Sequence, residues 1–139
     1  MNEKAKILIV EDETPLAMLM VSVLTRFNCD VSVARNGKRA MELASEKRFD
    51  LITLDIELPD TTGFEICSEL KQRHISYKTP VLFVAASPCE QDIAEAKRRG
   101  AVDYLAKPFD SPVFVNKVIY HARARINQTA TPASKEEPA

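Results

Sequence analysis

Four charged side chains follow apolar segments of this sequence in a pattern that could do chemistry. Glu11 and Asp12 come directly after the run ILIV, and Asp55 ends the segment LITLD. Lys107 follows the segment VDYLA. Carboxylate oxygens gathered in one place bind hard divalent cations, above all Mg²⁺ when a phosphate is also present. These residue types therefore indicate a site for a divalent cation, provided that the fold brings them together.

Electrostatic repulsion distinguishes a functional acidic cluster from ordinary solvated acids. Two unit charges ~4 Å apart repel by roughly 4 kcal/mol at an effective dielectric constant near 20. Three clustered carboxylates would strain a domain of marginal stability unless a cation lies among them. We expect Glu11, Asp12 and Asp55, which follow apolar strands, to form such a cluster around a cation. Glu13 is expected to be a solvated loop acid.

Five short apolar segments predict the strands that position these groups. Three of them are continuous runs rich in Ile, Val and Leu, which is typical of strands covered on both faces by helices. Two others alternate apolar and polar residues, as strands nearer a sheet edge do. The continuous runs lie at 6–10, 51–56 and 81–86, and the alternating segments lie at 29–34 and 102–106.

Helical periodicity fills the intervals between the strands. Apolar residues recur with a period near 3.6 in the first interval, at positions such as Leu16, Met20, Val23 and Phe27. In the second and third helices, the residues expected to face inward are Ala40, Leu43, Ala44, Phe64, Cys67 and Leu70. The predicted helices cover about 14–27, 37–47, 63–73, 87–99 and 110–127.

Capping residues support these helix ends. Thr14 followed by Pro15 predicts a hydroxyl cap and a proline at the first helical position. The stretch SPCE gives Ser87 the same role, with a capping-box glutamate after it. Gly100, after KRR, suits a left-handed helix end. The fourth helix has few large apolar residues, so we expect it to be weakly anchored.

Alternation of strands and helices predicts an α/β fold with a doubly wound, five-stranded parallel sheet of order 2-1-3-4-5, flavodoxin-like in architecture. Ligands of such sheets bind outside the carboxyl ends of the strands, where the strand order reverses. Glu11, Asp12, Asp55 and Lys107 would all converge on that crevice.

Length and composition limit the alternatives. The 139 residues suit one domain, expected over 4–127, with 128–139 as a disordered tail or linker stump. A net charge of −1 gives no support for direct nucleic-acid binding. Neither a signal peptide nor a membrane span is evident, so we expect a soluble, cytoplasmic protein. The three cysteines lack metal-ligand spacing and are expected to be reduced core residues: Cys29, Cys67 and Cys89.

Three motifs now carry a family resemblance. ILIVEDE, LITLDIELPDTTG and GAVDYLAKPF, in this order and spacing, resemble the receiver domain of two-component response regulators. The resemblance extends from about Lys4 to Asn127. Its most specific parts are the acidic pair, Asp55 with Pro59 and Gly63 at four-residue steps, and the Lys107–Pro108 pair.

The resemblance implies a phosphoryl switch. Asp55 matches the aspartate that attacks a phosphohistidine of a sensor histidine kinase or phosphotransfer protein. Asp12 and Asp55 match carboxylate ligands of Mg²⁺, with the backbone carbonyl of Glu57, and Glu11 matches an acid linked to the metal through water. Lys107 matches the lysine that pairs with the phosphoryl oxygens. Beyond its own phosphoryl transfer and acyl-phosphate hydrolysis, no enzymatic activity is expected.

One position departs from the family pattern. The fourth strand usually ends in Thr or Ser, whose hydroxyl donates to the phosphoryl group, but here Ala85 stands in that place. Ser87 could substitute, although we favour it as a helix cap. Tyr104 matches the aromatic switch residue, so its usual coupling partner is missing. We therefore expect phosphorylation with a weak or differently wired response.

Output in this family usually runs through the face made by the fourth helix, fifth strand and fifth helix. A downstream protein or a second copy of the chain would dock there, without direct contact to nucleic acid or membrane. The candidate residues of this face are Ile93, Lys97, Tyr104, Val113 and Lys117.

Two alternatives belong to other functional classes. A pseudo-receiver would bind partners without phosphorylation, which Ala85 favours and the intact charged set opposes. A haloacid-dehalogenase-like phosphatase needs an aspartate two positions after the nucleophile, where this chain has Glu57. The Glu57 side chain could instead repel or reorient the water that hydrolyses the acyl phosphate, or simply be an exposed loop acid.

Overall fold

Strands and helices alternate strictly along the chain. The computed structural model describes residues 4–75, 78–86 and 89–130, and for 128–130 it describes the backbone alone. The strands are β1 (Ala5–Val10), β2 (Cys29–Ala34), β3 (Leu51–Asp55), β4 (Val81–Ala86) and β5 (Asp103–Lys107). The helices are α1 (Thr14–Arg26), α2 (Gly37–Glu46), α3 (Gly63–Gln72), α4 (Glu90–Arg98) and α5 (Ser111–Ala130).

The five strands form one parallel sheet in the order β2-β1-β3-β4-β5, which confirms the predicted fold class. All five residues of the central strand β3 are buried. The edge strands β2 and β5 are only partly buried, as their alternating sequences predict. Because the strands are parallel, the residues that follow β1, β3 and β5 meet at one edge of the sheet.

Apolar side chains cover both faces of the sheet. One core layer lies under α2 and α3 and contains Leu8, Leu54 and Phe83. The other lies under α1 and α5 and contains Ile7, Leu24 and Phe114, among others. In α2 and α3 the residues expected to face inward are buried, except that Phe64 is only partly so: Ala40, Leu43, Ala44, Cys67 and Leu70. On the apolar face predicted for the first helix, Phe27 is exposed and lies just after α1. This two-layer packing explains why the central strands lack polar alternation.

The predicted start of α1 is wrong in detail. Glu13, not Thr14, occupies the N-cap of α1, so Thr14 is the first helical residue and Pro15 the second. The Thr14 hydroxyl instead accepts a hydrogen bond from the guanidinium of Arg35. Helix α4 has Cys89 at its N-cap, without a side-chain hydrogen bond. The cap expected at Ser87 lies outside the described residues.

Helix α4 is weakly anchored, as predicted, because Ala96 is its one buried residue. Gly100 adopts a φ of 85° directly after it, which confirms the left-handed helix end. Cys29 and Cys67 are buried, but Cys89 is exposed, which corrects the expectation for that thiol. It is the N-cap residue of α4.

Helix α5 continues to Ala130, three residues beyond the predicted end of the domain. The remainder of the expected tail, 131–139, lies outside the described residues. Among the residues that are described, no helix is both long and apolar enough to cross a lipid bilayer.

Candidate functional site

Three carboxylates converge at the carboxyl edge of the sheet, as the sequence predicts. Oxygens of Glu11, Asp12 and Asp55 all lie within 4.8 Å of one another. Glu11 is fully buried, Asp55 is 6% exposed and Asp12 is partly buried. The fold holds Glu11 there because its backbone N–H donates to the carbonyl of Ala34, which extends the β1–β2 pairing by one residue. This arrangement of oxygens can bind a divalent cation.

Lys107 connects two members of this cluster. Its Nζ lies 3.0 Å from Oδ2 of Asp55 and donates a hydrogen bond to it. The same Nζ donates to Oε2 of Glu11 at 3.2 Å and lies 3.0 Å from Oε1, where the angle does not suit a hydrogen bond. The lysine therefore neutralises part of the charge that the carboxylates concentrate here.

Burial and ion pairing shift the pKa values of this pair. Burial raises the pKa of Glu11, and the hydrogen bond from Lys107 offsets that rise only in part. Burial alone would lower the pKa of Lys107, but its hydrogen bonds to Glu11 and Asp55 outweigh this and raise the pKa. The ammonium thus stays charged at neutral pH, with two carboxylates in reach.

The segment after β3 holds Asp55 from the other side. The N–H of Glu57 donates to Oδ1 of Asp55 at 3.2 Å. The N–H of Gly63 donates to the carbonyl of Ile56 at 2.7 Å. A β-carbon at Gly63 would lie 2.5 Å from the carbonyl oxygen of Asp55, so only glycine permits this close approach. Both carboxylate oxygens of Asp55 are therefore oriented by hydrogen bonds.

Asp60 attaches the same segment to α2, which the sequence did not indicate. Its two carboxylate oxygens accept from the N–H groups of Gly37 at 2.8 Å and Lys38 at 3.0 Å. The hydrogen bond from Gly37 is the main reason why the pKa of Asp60 is lowered. A β-carbon at Gly37 would collide with the side chain of Thr61. The sequence alone gave no sign that an acid three residues before α3 would accept hydrogen bonds from the first turn of α2.

A hollow of about 340 Å³ lies over the cluster. It is large enough for a phosphoryl group and an ion, but small for an organic ligand. Asp12, Asp55 and Lys107 line it, while the buried Glu11 lies beneath. Asp92, on the first turn of α4, also lines the hollow and was not among the sequence candidates. The exposed side chain of Glu57 borders it as well.

Ala85 lines this hollow and is 5% exposed. Its methyl group leaves β4 without a hydroxyl at the place nearest the carboxyl edge. Tyr104, opposite Phe83 in the β4–β5 pairing, has a buried hydroxyl with no hydrogen-bond partner among the described residues. Burial raises the pKa of Tyr104, and the nearby Asp92 adds to the rise. The phenol hydroxyl thus lies inside the protein without a described acceptor.

The predicted output residues lie away from the cluster. Ile93, Lys97 and Tyr104 border a small hollow between α4 and β5. Val113 is exposed on α5. Nζ of Lys117 lies 3.0 Å from Oδ2 of Asp103, so its charge is partly neutralised within the chain.

Comparison with known proteins agrees with this fold. The family model of the response regulator receiver domain matches residues 7–119. The chain belongs to the receiver-domain family of two-component response regulators.

Two curated relatives are response regulators of known name. Response regulator ArlR of Staphylococcus saprophyticus is 40% identical over 105 residues, covering 76% of this chain and 46% of that protein. The alkaline phosphatase synthesis transcriptional regulatory protein PhoP of Bacillus subtilis is 37% identical over 130 residues, covering 94% and 52%. The chain thus spans about half the length of the curated relatives it matches.

A solved structure confirms the fold alone. The CheY-like receiver domain protein of Methanospirillum hungatei superposes with a TM-score of 0.82 at 21% identity, covering 91% of this chain and 99% of that one.

Proposed function

We propose that Asp55 is the phosphoacceptor and that Mg²⁺ and Lys107 assist the transfer. The observation that carries this proposal is the contact of the Lys107 ammonium with Asp55 and Glu11, beside Asp12. An aspartate with a cation on one side and two further carboxylates on the other suits phosphoryl transfer to that aspartate.

The proposed reaction is an in-line displacement at phosphorus. An oxygen of the Asp55 carboxylate forms a bond to phosphorus while the bond between phosphorus and a histidine nitrogen of the donor breaks. The imidazole leaves with the bonding electron pair and takes up a proton, which gives an acyl phosphate on Asp55. Lys107 is placed to donate to a phosphoryl oxygen, because its Nζ already lies 3.0 Å from the attacking carboxylate. No catalysis beyond this transfer and hydrolysis of the acyl phosphate is proposed.

The donor set fits a magnesium ion. Oε1 of Glu11 is buried and lies 3.0 Å from the Lys107 ammonium, but it accepts no hydrogen bond among the described residues, so it could accept one from a metal-bound water. Asp12 and Asp55 would supply carboxylate ligands, and the backbone carbonyl of Glu57 would complete the protein ligands. When bound, the ion neutralises phosphoryl oxygens that accumulate charge in the displacement.

Glu57 would influence the lifetime of the acyl phosphate. Its N–H orients Asp55, while its exposed side chain borders the hollow through which water would approach. Replacing Glu57 with Asn keeps the backbone hydrogen bond and removes the charge. A changed dephosphorylation rate would support this role, and an unchanged rate would remove it.

Ala85 and Tyr104 would give the phosphorylated state a weak or differently wired output. Without a hydroxyl on residue 85, the phosphoryl group loses one hydrogen bond, worth ~1.5–3 kcal/mol to a charged acceptor. The acyl phosphate would still form, since Asp55, the metal ligands and Lys107 are present.

Phosphoryl donors and output partners follow from the same proposal. A sensor histidine kinase or phosphotransfer protein would supply the phosphoryl group. A downstream protein, or a second copy of this chain, would bind the face of α4, β5 and α5, where Val113 and Tyr120 are exposed. With a net charge of −1, the domain itself is not proposed to bind nucleic acid.

Incubation with acetyl phosphate and Mg²⁺ tests the phosphoacceptor. We expect the mass gain of one phosphoryl group, and a spectral change with beryllofluoride, in the wild-type chain and in Asp110→Asn, an exposed control. Asp55→Ala should show neither. Silence of all three proteins would favour the pseudo-receiver alternative, and a full mass gain in Asp55→Ala would place the acceptor elsewhere.

A further inference from the structure

A second hollow lies at the opposite end of the sheet from Asp55. It encloses about 720 Å³, within the range of small-ligand sites. Arg48 precedes β3 and Thr79 precedes β4, so this hollow lies where the strands begin. Arg125, near the end of α5, closes another side of it. The site therefore combines three segments that are far apart in sequence.

The lining of this hollow is strongly cationic. Its lining contains one carboxylate, that of Glu46, and four lysine or arginine side chains: Lys47, Arg48, Lys78 and Arg125. The whole chain has a net charge of −1, so this concentration is a local property and not a reflection of composition. Charges of one sign around a concave surface focus the electrostatic field and raise the local concentration of the opposite ion.

Two cations of the lining have hydrogen-bonding capacity that the described residues leave unused. Nε of Arg125, a lining residue, is buried and has no hydrogen-bond partner among the described residues. Nζ of Lys47 donates to the hydroxyl of Ser32 at 3.2 Å, which uses one of its three N–H groups. By contrast, the hydroxyl of Thr79 is already bonded to the carbonyl of Phe49. The unused donors thus belong to cations, which favours an anion over a neutral ligand.

We propose that this hollow binds a small polyphosphate, such as pyrophosphate or the phosphates of a nucleotide. Several cations around one concave volume suit linked phosphates, which carry several charges in a compact group. The planar guanidinium of Arg125 matches the geometry of phosphate oxygens. The site shares no residue with the acidic cluster, so it does not depend on phosphorylation of Asp55.

An NMR titration of the ¹⁵N-labelled chain with pyrophosphate, and separately with ATP, tests this site. EDTA is present so that no metal at the acidic cluster contributes. We expect saturable shifts at the amides of Lys47, Arg48 and Thr79 and at the Nε–H of Arg125. Asp55→Asn should keep them unchanged. Tighter binding of ATP would indicate a nucleotide, and equal binding would indicate recognition of the phosphates alone.

Matched variants decide whether the hollow is responsible. Arg125→Gln should weaken binding at least about tenfold, since it removes a charged hydrogen bond. Arg123→Gln, on the same helix but outside the lining, should bind like wild type. Lys47→Gln, at an exposed position, should also weaken binding and replaces Arg125→Gln as the test if that variant fails to fold. No saturable shift with either ligand, or equal affinity in the wild type and both lining variants, would overturn the proposal.

Discussion

The ammonium of Lys107 lies 3.0 Å from Oδ2 of Asp55, although 52 residues separate them in sequence. The same ammonium also lies 3.0 Å from Oε1 of Glu11. It therefore neutralises part of the carboxylate charge that a bound metal ion would otherwise neutralise alone. The lysine thus stabilises the metal-free cluster and also repels any cation that enters it. These two effects can be separated by mutation.

Lys107→Gln should change metal affinity and phosphorylation in opposite directions. Removal of the ammonium relieves its repulsion of Mg²⁺, so the ion should bind about tenfold more tightly. Phosphorylation by acetyl phosphate at saturating Mg²⁺ should slow by about 10²–10³, because a group that stabilises the transition state is lost. Isothermal titration and the rate of mass gain measure the two quantities. Weaker metal binding together with an unchanged rate would contradict both assignments.

The effect of Asp12→Asn on the free energy of unfolding should change sign when Mg²⁺ is added. Without metal, the free energy of unfolding of the variant should be about 1 kcal/mol higher than that of the wild type, because one repelling carboxylate is gone. With saturating Mg²⁺ the wild type should be the more stable, since binding to the native state stabilises it. Urea unfolding with and without the ion measures this. Glu13→Gln, an exposed neighbour, is the control and should show no such crossing.

Ala85→Thr should strengthen the conformational response to phosphorylation. The added hydroxyl would contribute about 1–2 kcal/mol toward the active state, a change of roughly 5–30-fold in a two-state ratio. Chemical shifts around Tyr104 on addition of beryllofluoride report this population. Ala85→Val has nearly the shape of threonine without its hydroxyl, so it should not reproduce the gain. Equal responses of the two variants would show that packing, and not the hydrogen bond, sets the switch.

Asp60 should stabilise the fold at neutral pH and lose this contribution in acid. Its carboxylate accepts from the N–H groups of Gly37 and Lys38, and its pKa is lowered by the bond from Gly37. A lowered pKa means that the stabilisation is present above the ordinary value of 3.8 and is lost as pH falls through the folded-state pKa. At neutral pH, Asp60→Ala should lose about 0.5–1 kcal/mol, by analogy with other exposed helix caps.

Unfolding curves between neutral and acid pH measure this contribution. The gap between wild type and Asp60→Ala should close as the pH drops below about 4. Asp60→Asn keeps an amide oxygen that can accept one hydrogen bond at any pH, so its gap to Asp60→Ala should stay constant. A wild-type gap that does not change with pH would show that the carboxylate charge contributes nothing.

Much of the fold follows from local pattern. Continuous apolar runs, alternating segments and helical periodicity predicted each strand and helix of the described residues, since each pattern depends on neighbours a few residues away. Helix ends were less certain. Thr14 was expected to cap α1, but its hydroxyl bonds to Arg35, on the segment after β2, and Glu13 takes the cap position. That outcome depends on a contact that no local pattern encodes.

The sequence by itself determined that Glu11, Asp12, Asp55 and Lys107 would share one edge of the sheet, because parallel strands align their carboxyl ends. Only the tertiary structure decided which atoms meet there, that Asp60 would bond to the first turn of α2, and that Arg125 and Lys47 would line one basic hollow. The physical reason is that residue type and spacing fix the face and end of each element. Contacts between distant segments depend instead on how the elements pack, which the whole core sets at once.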